Sequence, residues 1–279
     1  MIFKKGISKI IPDYIKFILR PIYRIIFNTI NSLWDSRLKK YIDIKESNKI
    51  IFKVLDYGKL TRWRASSFES VEPETLEWIS KFNKEDKLLD IGANIGLYSL
   101  YAAFKGINVI SVEPDALNYA LLNLNIRLNK FGNKITPYCI AIHNKTKLSK
   151  FNISSDEWGG ALNSFDNNLD FKGDEYKPIH TQVVFGTSLD SLENSLPFIP
   201  NHLKVDVDGN EYLILLGARG FLQKKSLKSI LIELDETRKD YLSSINLIKD
   251  SGFKLVKKIN SCIDNNDPFF HVKNHIFIR

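Results

Sequence analysis

The chain has 279 residues and carries 40 lysines and arginines against 32 aspartates and glutamates, which gives a formal net charge of +8. Its 44% hydrophobic and 26% charged residues are typical of a globular protein and exclude a disordered chain. The length accommodates one α/β domain with extensions but not comfortably a second domain, and the positive charge favours an anionic partner such as a membrane surface, nucleic acid or an acidic small molecule.

Residues 1–48 alternate basic side chains with large apolar ones. Lys16, Arg20 and Arg24 interrupt the apolar runs, so we expect neither a membrane-spanning helix nor a secretory signal. The pattern predicts one or two basic amphipathic helices. Such an extension either lies on an anionic membrane surface or packs as a helical cap on the following domain, which is predicted over 49–279.

The spacing of the two cysteines, Cys139 and Cys262, fits neither a disulfide framework nor a metal site. Thiols without such partners are typical of a reducing compartment. We therefore expect a cytoplasmic protein, which residues 1–48 would bring to the inner membrane face if they bind lipid. The oligomeric state stays open.

Residues 49–71 have the pattern of a β-hairpin followed by a loop. In this loop Arg62 and Arg64 flank Trp63, an arrangement that suits a carboxylate- or phosphate-binding clamp and equally a solvated strand edge. A helix is predicted over 73–83, because the segment begins with proline and has acids in its first turn.

The stretch 88–100 is the first with clear chemical content. An apolar run ends in Asp90, a turn with Gly92 and Gly96 follows, and apolar residues then recur at helical spacing. This predicts a strand, a tight turn and a helix whose N-terminus offers free N–H groups to a ligand. Because Asn94 replaces a glycine of the dinucleotide-binding pattern and an acid precedes the turn, a cationic or hydroxyl-bearing ligand is favoured over a pyrophosphate.

Residues 108–113 predict a second strand that ends in Glu113. An acid about twenty residues beyond the glycines is placed to accept hydrogen bonds from both ribose hydroxyls of a nucleoside. Pro114 fits the first turn of the next predicted helix, over 116–129. The turn and the acid together predict a nucleoside-type cofactor.

A third strand is predicted over 135–142, and His143 follows it. Ligands of open α/β sheets bind beyond the carboxyl ends of such strands, which makes His143 a candidate site residue. Residues 150–190 have the pattern of a β-rich insertion that covers a site as a lid.

In residues 202–211 a buried strand delivers Asp206 and Asp208 to a glycine turn. Two acids at a strand end can act as a general base, hold a metal ion or cap the next helix, and these alternatives stay open. The strand predicted over 229–234 places Glu233 at the neighbouring position of the sheet. The remaining predicted elements are a helix at 240–251 and strands at 253–256 and 275–278.

Four segments resemble the FkbM family of S-adenosylmethionine-dependent methyltransferases, namely 72–79, 89–96, 112–115 and 203–211. The resemblance covers roughly 60–279. It implies the class I methyltransferase fold, a Rossmann-like α/β architecture with a seven-stranded, mostly parallel sheet, an antiparallel last strand and helices on both faces. It also implies S-adenosyl-L-methionine as cofactor and O-methylation, commonly of sugar or polyketide hydroxyls.

The resemblance assigns the donor to the predicted turn and strand ends. Glu113 would bind the ribose, and Asp90 would hold the amino-acid end through a backbone-linked network. The predicted cofactor-binding residues are Asp90, Gly92, Ala93, Asn94, Gly96, Glu113, Pro114, Asp115 and Ala141.

Methyl transfer is an in-line displacement, so catalysis depends mainly on positioning the acceptor oxygen, with a base in reach to assist a weakly nucleophilic hydroxyl. Asp206 is the first candidate for this base, and His143 and Glu233 are weaker candidates. No resident metal is assigned, although a divalent ion on Asp206, Asp208 and Glu233 would polarise an acceptor diol. At position 208 the family usually has glutamate, which is one methylene longer. The predicted substrate-binding residues are Arg62, Arg64 and Asp208.

These features predict an O-methyltransferase that acts on a saccharide hydroxyl, in a surface glycan or a lipid-linked precursor. The alternatives are a methyltransferase of a polyketide or other small molecule, an RNA methyltransferase, and a membrane-associated glycan-pathway protein without turnover. Residues 208–211 stand where RNA base methyltransferases carry an aromatic-proline tetrapeptide. We therefore expect no nucleic-acid partner.

Overall fold

The computed structural model of the protein describes residues 40–170, 172–260 and 267–279. Its strands are β1 (Tyr41–Glu46), β2 (Lys49–Leu55), β3 (Lys87–Ile91), β4 (Asn108–Val112), β5 (Ile135–Tyr138), β6 (Ala141–Ile142), β7 (Lys147–Ile153), β8 (Ser164–Phe165), β9 (His180–Thr187), β10 (His202–Val205), β11 (Ser229–Asp235), β12 (Lys254–Asn260) and β13 (Val272–Ile278). Its α-helices are α1 (Lys59–Ser66), α2 (Phe68–Val71), α3 (Pro73–Ser80), α4 (Leu97–Phe104), α5 (Ala116–Leu128), α6 (Leu189–Leu192), α7 (Glu211–Leu216), α8 (Arg219–Leu222) and α9 (Tyr241–Asp250).

Seven strands form the central sheet in the order β12-β13-β11-β10-β3-β4-β5. The pairs from β11 to β5 are parallel, whereas β13 runs antiparallel to both β11 and β12. This confirms the predicted fold class, including the antiparallel last strand.

Alternate side chains of β3 enter two different hydrophobic clusters. Leu88 shares one cluster with Leu100 of α4, and Leu89 shares the other with Ile214 of α7 and Ile248 of α9. Because successive side chains of a strand point to opposite faces, helices cover the sheet on both sides. The apolar run that precedes Asp90 is therefore that of a fully buried strand.

The strand order reverses between β3 and β10. From β3 the chain proceeds outward through β4 to β5, and from β10 it proceeds to β11 on the other side. Such a switch point leaves a crevice at the carboxyl ends of the strands, where ligands of open α/β sheets bind. Residues that follow β3 and β10 border this crevice.

The hairpin starts earlier than the sequence indicated. β1 pairs antiparallel with β2, so residues 41–48 belong to the hairpin and not to the extension predicted over 1–48. The compact unit accordingly begins at Tyr41. The amphipathic helices predicted before residue 40 lie outside the described residues.

The loop predicted after the hairpin is helical. α1 and α2 bury Thr61, Ala65 and Phe68, which are spaced by four and three residues. That spacing is a helical signal, and in the folded chain it outweighs the polar or exposed side chains between these positions. Arg62 and Arg64 therefore lie on a helix.

A smaller sheet of order β6-β9-β7-β8 holds much of the insertion predicted over 150–190. The strand predicted over 135–142 is divided, because β5 ends at the edge of the central sheet and β6 pairs in parallel with β9. Pro137 lies in β5, where an edge strand tolerates the missing N–H. His143 consequently follows a strand of the small sheet.

None of the helices in the described residues is long and apolar enough to cross a membrane.

Candidate active site

The turn after β3 packs directly against the end of β10. Gly92 has φ +82°, and a Cβ at this position would lie 1.7 Å from the carbonyl oxygen of Asp206. Gly96 has φ +93° and precedes α4, where a Cβ would lie 2.4 Å from a methyl group of Leu122. Both glycines are therefore required by a left-handed backbone and by close approach.

Asp90 lies beneath this turn and is 1% exposed. Its Oδ2 accepts a hydrogen bond of 2.6 Å from Ser99, and its Oδ1 has no hydrogen-bond partner among the described residues. Burial raises the pKa of Asp90, and the neighbouring Lys204 opposes that shift. Asp90 lines none of the clefts described below, so any effect on a ligand passes through its neighbours.

Glu113 follows β4 and is held by two backbone donors. Its Oε2 accepts from the N–H of Asn94 at 2.8 Å and its Oε1 from the N–H of Asp115 at 2.9 Å. Because a carboxylate offers four lone-pair sites, two stay available for a ligand's hydroxyl groups. Burial raises the pKa of Glu113 to about 8.

Two clefts meet at the turn. The first encloses about 520 Å³ of empty space between α1, α4 and β10, and Arg64, Glu72 and Lys204 line it. The second encloses about 370 Å³ next to Glu113. The residues common to both clefts are Gly92, Asn94 and Asp206.

The second cleft continues into an apolar cavity. Ala141, Ile140 and Phe151 line this cavity together with Pro114. Ala141, a predicted cofactor-binding residue, thus lies on an apolar surface next to the second cleft. Asp115, in contrast, is the N-cap residue of α5. Its Oδ1 accepts hydrogen bonds from the N–H groups of residues 117 and 118.

Lys204 is a site residue that the sequence analysis missed. It is 1% exposed in the middle of β10, its Nζ lies 2.6 Å from Asp206 Oδ2, and it sits 4.9 Å from the ring centre of Tyr98. Burial acts to lower the pKa of Lys204, but Asp206, Glu72 and Asp90 together raise it, so the ammonium stays charged. A lysine inside so apolar a strand was the available signal, since a buried charge requires a partner.

Asp206, Asp208 and Glu233 form an acidic cluster in which one oxygen of each lies within 4.8 Å of the others. Burial raises the pKa of Glu233 well above its usual value, and burial with the nearby charge of Asp206 raises that of Asp208 to about 6. Oxygen ligands of this kind suit a divalent cation, and bound protons are the other way to offset the repulsion. Helix capping is excluded, because Asn210 is the N-cap residue of α7.

A third cavity opens on the far side of Asp208. Glu211, Glu233, Arg238 and Phe269 line it together with Asp208. Asp208 therefore borders both this cavity and the second cleft. Its φ of +60° is unusual for a residue other than glycine, and its Oδ2 accepts from the N–H of residue 162 at 2.7 Å.

Residues 159–163, here called the strap, tie the insertion to the clefts. The carbonyl of Gly159 accepts from Arg64 at 2.7 Å, and that of Gly160 accepts from the side chains of Asn94 at 2.7 Å and Asn118 at 2.9 Å. The strap thus joins α1, the turn and α5.

Two further predicted site residues, Arg62 and His143, lie away from these clefts. Arg62 is exposed and donates two hydrogen bonds to Asp56, at 2.9 and 3.2 Å, and it lines neither cleft. His143 is buried against Phe165, and burial lowers its pKa. The charged groups that act on His143 are Lys145, Lys147 and Asp166, not the acidic cluster.

Strand order, turn and strand-end acids together define a Rossmann-like α/β protein of the methyltransferase class. Residues 90–255, more than half of the chain, match the family described as the methyltransferase FkbM domain. The chain therefore belongs to the FkbM methyltransferase family. No curated protein sequence matches it significantly.

Solved structures of low sequence identity resemble the chain. Methyltransferase FkbM from Methylobacillus flagellatus KT is 16% identical with a TM-score of 0.49, over 81% of this chain and 62% of that one. The M. jannaschii tRNA m1G37 methyltransferase is 14% identical with a TM-score of 0.44, over 86% and 57%. Precorrin-6y C5,15-methyltransferase from Geobacter metallireducens GS-15 is 13% identical with a TM-score of 0.43, over 75% and 86%. The chain thus spans less than two thirds of the first two proteins.

Proposed function

We propose that the protein is an S-adenosylmethionine-dependent O-methyltransferase that acts on a hydroxyl of a saccharide, in a surface glycan or a lipid-linked precursor. Membership of the FkbM family supports the reaction class. The observation that best supports S-adenosylmethionine as the methyl donor is the position of Glu113. This buried carboxylate has two free acceptor sites and lies beside the Gly92 turn.

The two clefts fit the parts of this donor. Glu113 would accept hydrogen bonds from the ribose hydroxyls, and the apolar surface around Ala141 would contact the base. In the first cleft, Arg64 would face the donor's carboxylate and Glu72 its ammonium group. The glycine cradle at Gly92 supports this fit, because a side chain there would close the junction between the clefts.

When bound, S-adenosylmethionine supplies an electrophilic methyl group, and the electron pair of the broken C–S bond stays on sulfur to leave neutral S-adenosylhomocysteine. Asp206 was the first candidate base, but one of its oxygens is engaged by Lys204. Asp208 borders both the second cleft and the third cavity, and its pKa of about 6 suits a proton acceptor near neutral pH. We propose that Asp208 takes the proton of the acceptor hydroxyl and that Asp206 orients this hydroxyl.

The third cavity favours a polyhydroxylated acceptor. Carboxylates of Asp208, Glu211 and Glu233 accept hydrogen bonds from hydroxyl groups, and Phe269 offers an apolar face. The same carboxylates would repel the phosphates of RNA, whose binding depends on lysines and arginines. This supports a saccharide over a nucleic acid.

The test measures the binding of S-adenosylmethionine first and the transfer of its methyl group second. Isothermal titration should show S-adenosylmethionine binding that is lost in Glu113→Ala. Incubation with methyl-labelled donor should then label cell glycans but not RNA from the same cells. Absence of donor binding by the wild-type protein would refute the proposal, and label in RNA or in a small molecule that contains no sugar would refute the saccharide acceptor.

We further propose that the protein works in the cytoplasm and reaches the inner membrane face through its basic N-terminal residues. The support is the basic, apolar sequence before residue 40. A lipid-linked acceptor would be presented at the same surface.

A further inference from the structure

We propose that Lys204 sets the charge at the point where the two clefts meet, so that the protein does not favour a cationic donor over its neutral product. Lys204 acts through Asp206 and is thus a positioning residue. The inference rests on the proposed function, because it concerns how that reaction's donor and product are told apart.

Stability alone does not explain why the Lys204–Asp206 pair is placed here. Lys204 is 1% exposed, and its strand neighbours Leu203 and Val205 are apolar and fully buried. Withdrawing an ammonium group from water is costly, and a well-packed apolar side chain of similar volume is often at least as stabilising as a buried ion pair. The position of the pair therefore calls for a functional reason.

The pair lies where a sulfonium would lie. Glu113 borders only the second cleft and Arg64 only the first, whereas Asp206 borders both. In a nucleoside with an amino-acid tail, the sulfur connects the ribose to the tail. A ligand that spans both clefts consequently has its sulfur at their junction, next to Asp206.

Without Lys204 this junction would be strongly anionic. Lys204 contacts the carboxylate of Asp206 at 2.6 Å, and the charges of Glu72 and Asp90 also act on it. An uncompensated Asp206 would attract a sulfonium but not a neutral thioether. Because positive charge on sulfur falls during methyl transfer, such a carboxylate would stabilise the starting state more than the transition state and slow the reaction. Lys204 removes this bias.

The test compares two ligands that differ in this charge. Isothermal titration gives the ratio of the dissociation constant of S-adenosylhomocysteine to that of S-adenosylmethionine. In Lys204→Met, we expect the ratio to rise about tenfold, because Asp206 is left uncompensated. In Asp206→Asn, we expect it to fall by about tenfold, because Lys204 then repels the sulfonium. The double variant should return to within about threefold of the wild-type ratio.

Lys228→Met is the matched control. Lys228 also pairs with an aspartate, Asp86, but this pair lies before the amino ends of the strands. Its removal should leave the ratio unchanged. A purely structural role for Lys204 would lower both affinities together and leave the ratio as it is.

The outcomes separate the two proposals. If the wild-type protein binds neither ligand, the proposed function fails. If it binds both and neither single variant changes the ratio in the expected direction, the inference on Lys204 fails while the proposed function stands. If Lys204→Met does not fold, Asp206→Asn and the double variant decide, since an unchanged ratio in Asp206→Asn overturns the inference.

Discussion

Gly92 and Gly106 share a left-handed backbone but differ in their surroundings. Gly92 has φ +82° and no room for a Cβ, whereas Gly106 has φ +96° and nothing within 4 Å of a Cβ position. The left-handed conformation costs a non-glycine residue about 1–2 kcal/mol wherever it occurs. At Gly92 an added Cβ would also collide with the carbonyl of Asp206. This collision would force β3 and β10 apart and so adds a second energetic cost.

We therefore expect Gly92→Ala to lower the free energy of unfolding by several kcal/mol and to abolish donor binding. Gly106→Ala should cost only about 1–2 kcal/mol and leave binding unchanged. Urea unfolding and isothermal titration with S-adenosylmethionine measure both effects. Equal losses of stability in the two variants would contradict the close approach at Gly92.

Glu113 should make donor binding dependent on pH. Burial raises the pKa of this carboxyl to about 8, and hydroxyl donors from a ribose would stabilise its ionised form and lower that pKa. Below about pH 8 binding must then release a proton, so affinity should fall by up to about tenfold for each pH unit of acidification. Titrations at several pH values, each in two buffers of different ionisation enthalpy, measure the proton release.

The matched variant for this effect is Glu113→Gln. It should bind more weakly but lose the part of the pH dependence between pH 6 and about pH 8 that Glu113 causes. The same slope in both proteins would show that another group carries the proton.

At the scale of elements, α1 determines which arginine enters the site. Positions 62 and 64 are separated by about 200° around a helix, since each residue turns the chain by about 100°. Arg64 consequently faces the first cleft and the strap, whereas Arg62 faces solvent and Asp56. In an extended loop, as the sequence suggested, both side chains would have pointed in one direction.

Arg64→Ala should weaken S-adenosylmethionine binding by at least about tenfold, because a charged hydrogen bond to a buried group is worth about 1.5–3 kcal/mol. Arg62→Ala should change binding less than twofold, as expected for an exposed ion pair. Titration of both variants decides between the helical arrangement and a two-arginine clamp. Equal losses would favour the clamp.

At the scale of the whole molecule, charge is unevenly distributed. The formal net charge is +8, yet the site edge at the ends of β10 and β11 carries a cluster of carboxylates. The basic residues before residue 40 are thus separate in sequence from the proposed acceptor cavity. The membrane attraction and the acceptor recognition that we propose would therefore belong to different parts of the chain.

Deletion of residues 1–40 should leave donor binding intact, because the compact unit begins at Tyr41. It should abolish co-sedimentation with vesicles that contain anionic lipid, if the basic segment supplies the attraction. Full-length protein with neutral vesicles is the control. Unchanged sedimentation of the shortened protein would refute the membrane role of the N-terminus.

The sequence alone determined the central sheet and its glycine turn, because these depend on local patterns. Buried strands have continuous apolar runs, glycine marks a left-handed backbone, and an acid after the second strand marks a ribose site. Asp90, Gly92, Glu113 and Asp206 were predicted in this way. The resemblance added a seven-stranded, mostly parallel sheet with an antiparallel last strand, which the structure confirms.

Only the tertiary structure decided which side chains share a cleft. Glu72, Tyr98 and Lys204 come from distant parts of the chain and meet at the first cleft because β10 lies beside β3 and helices pack on the sheet. Arg62 and His143 were left out for the same reason, since helix phase and the departure of β6 from the sheet turned them elsewhere. Spacing along the chain defines a local turn, but contact between distant segments depends on packing. The turn at Gly92 forms part of the site because the end of β10 brings Asp206 into contact with it.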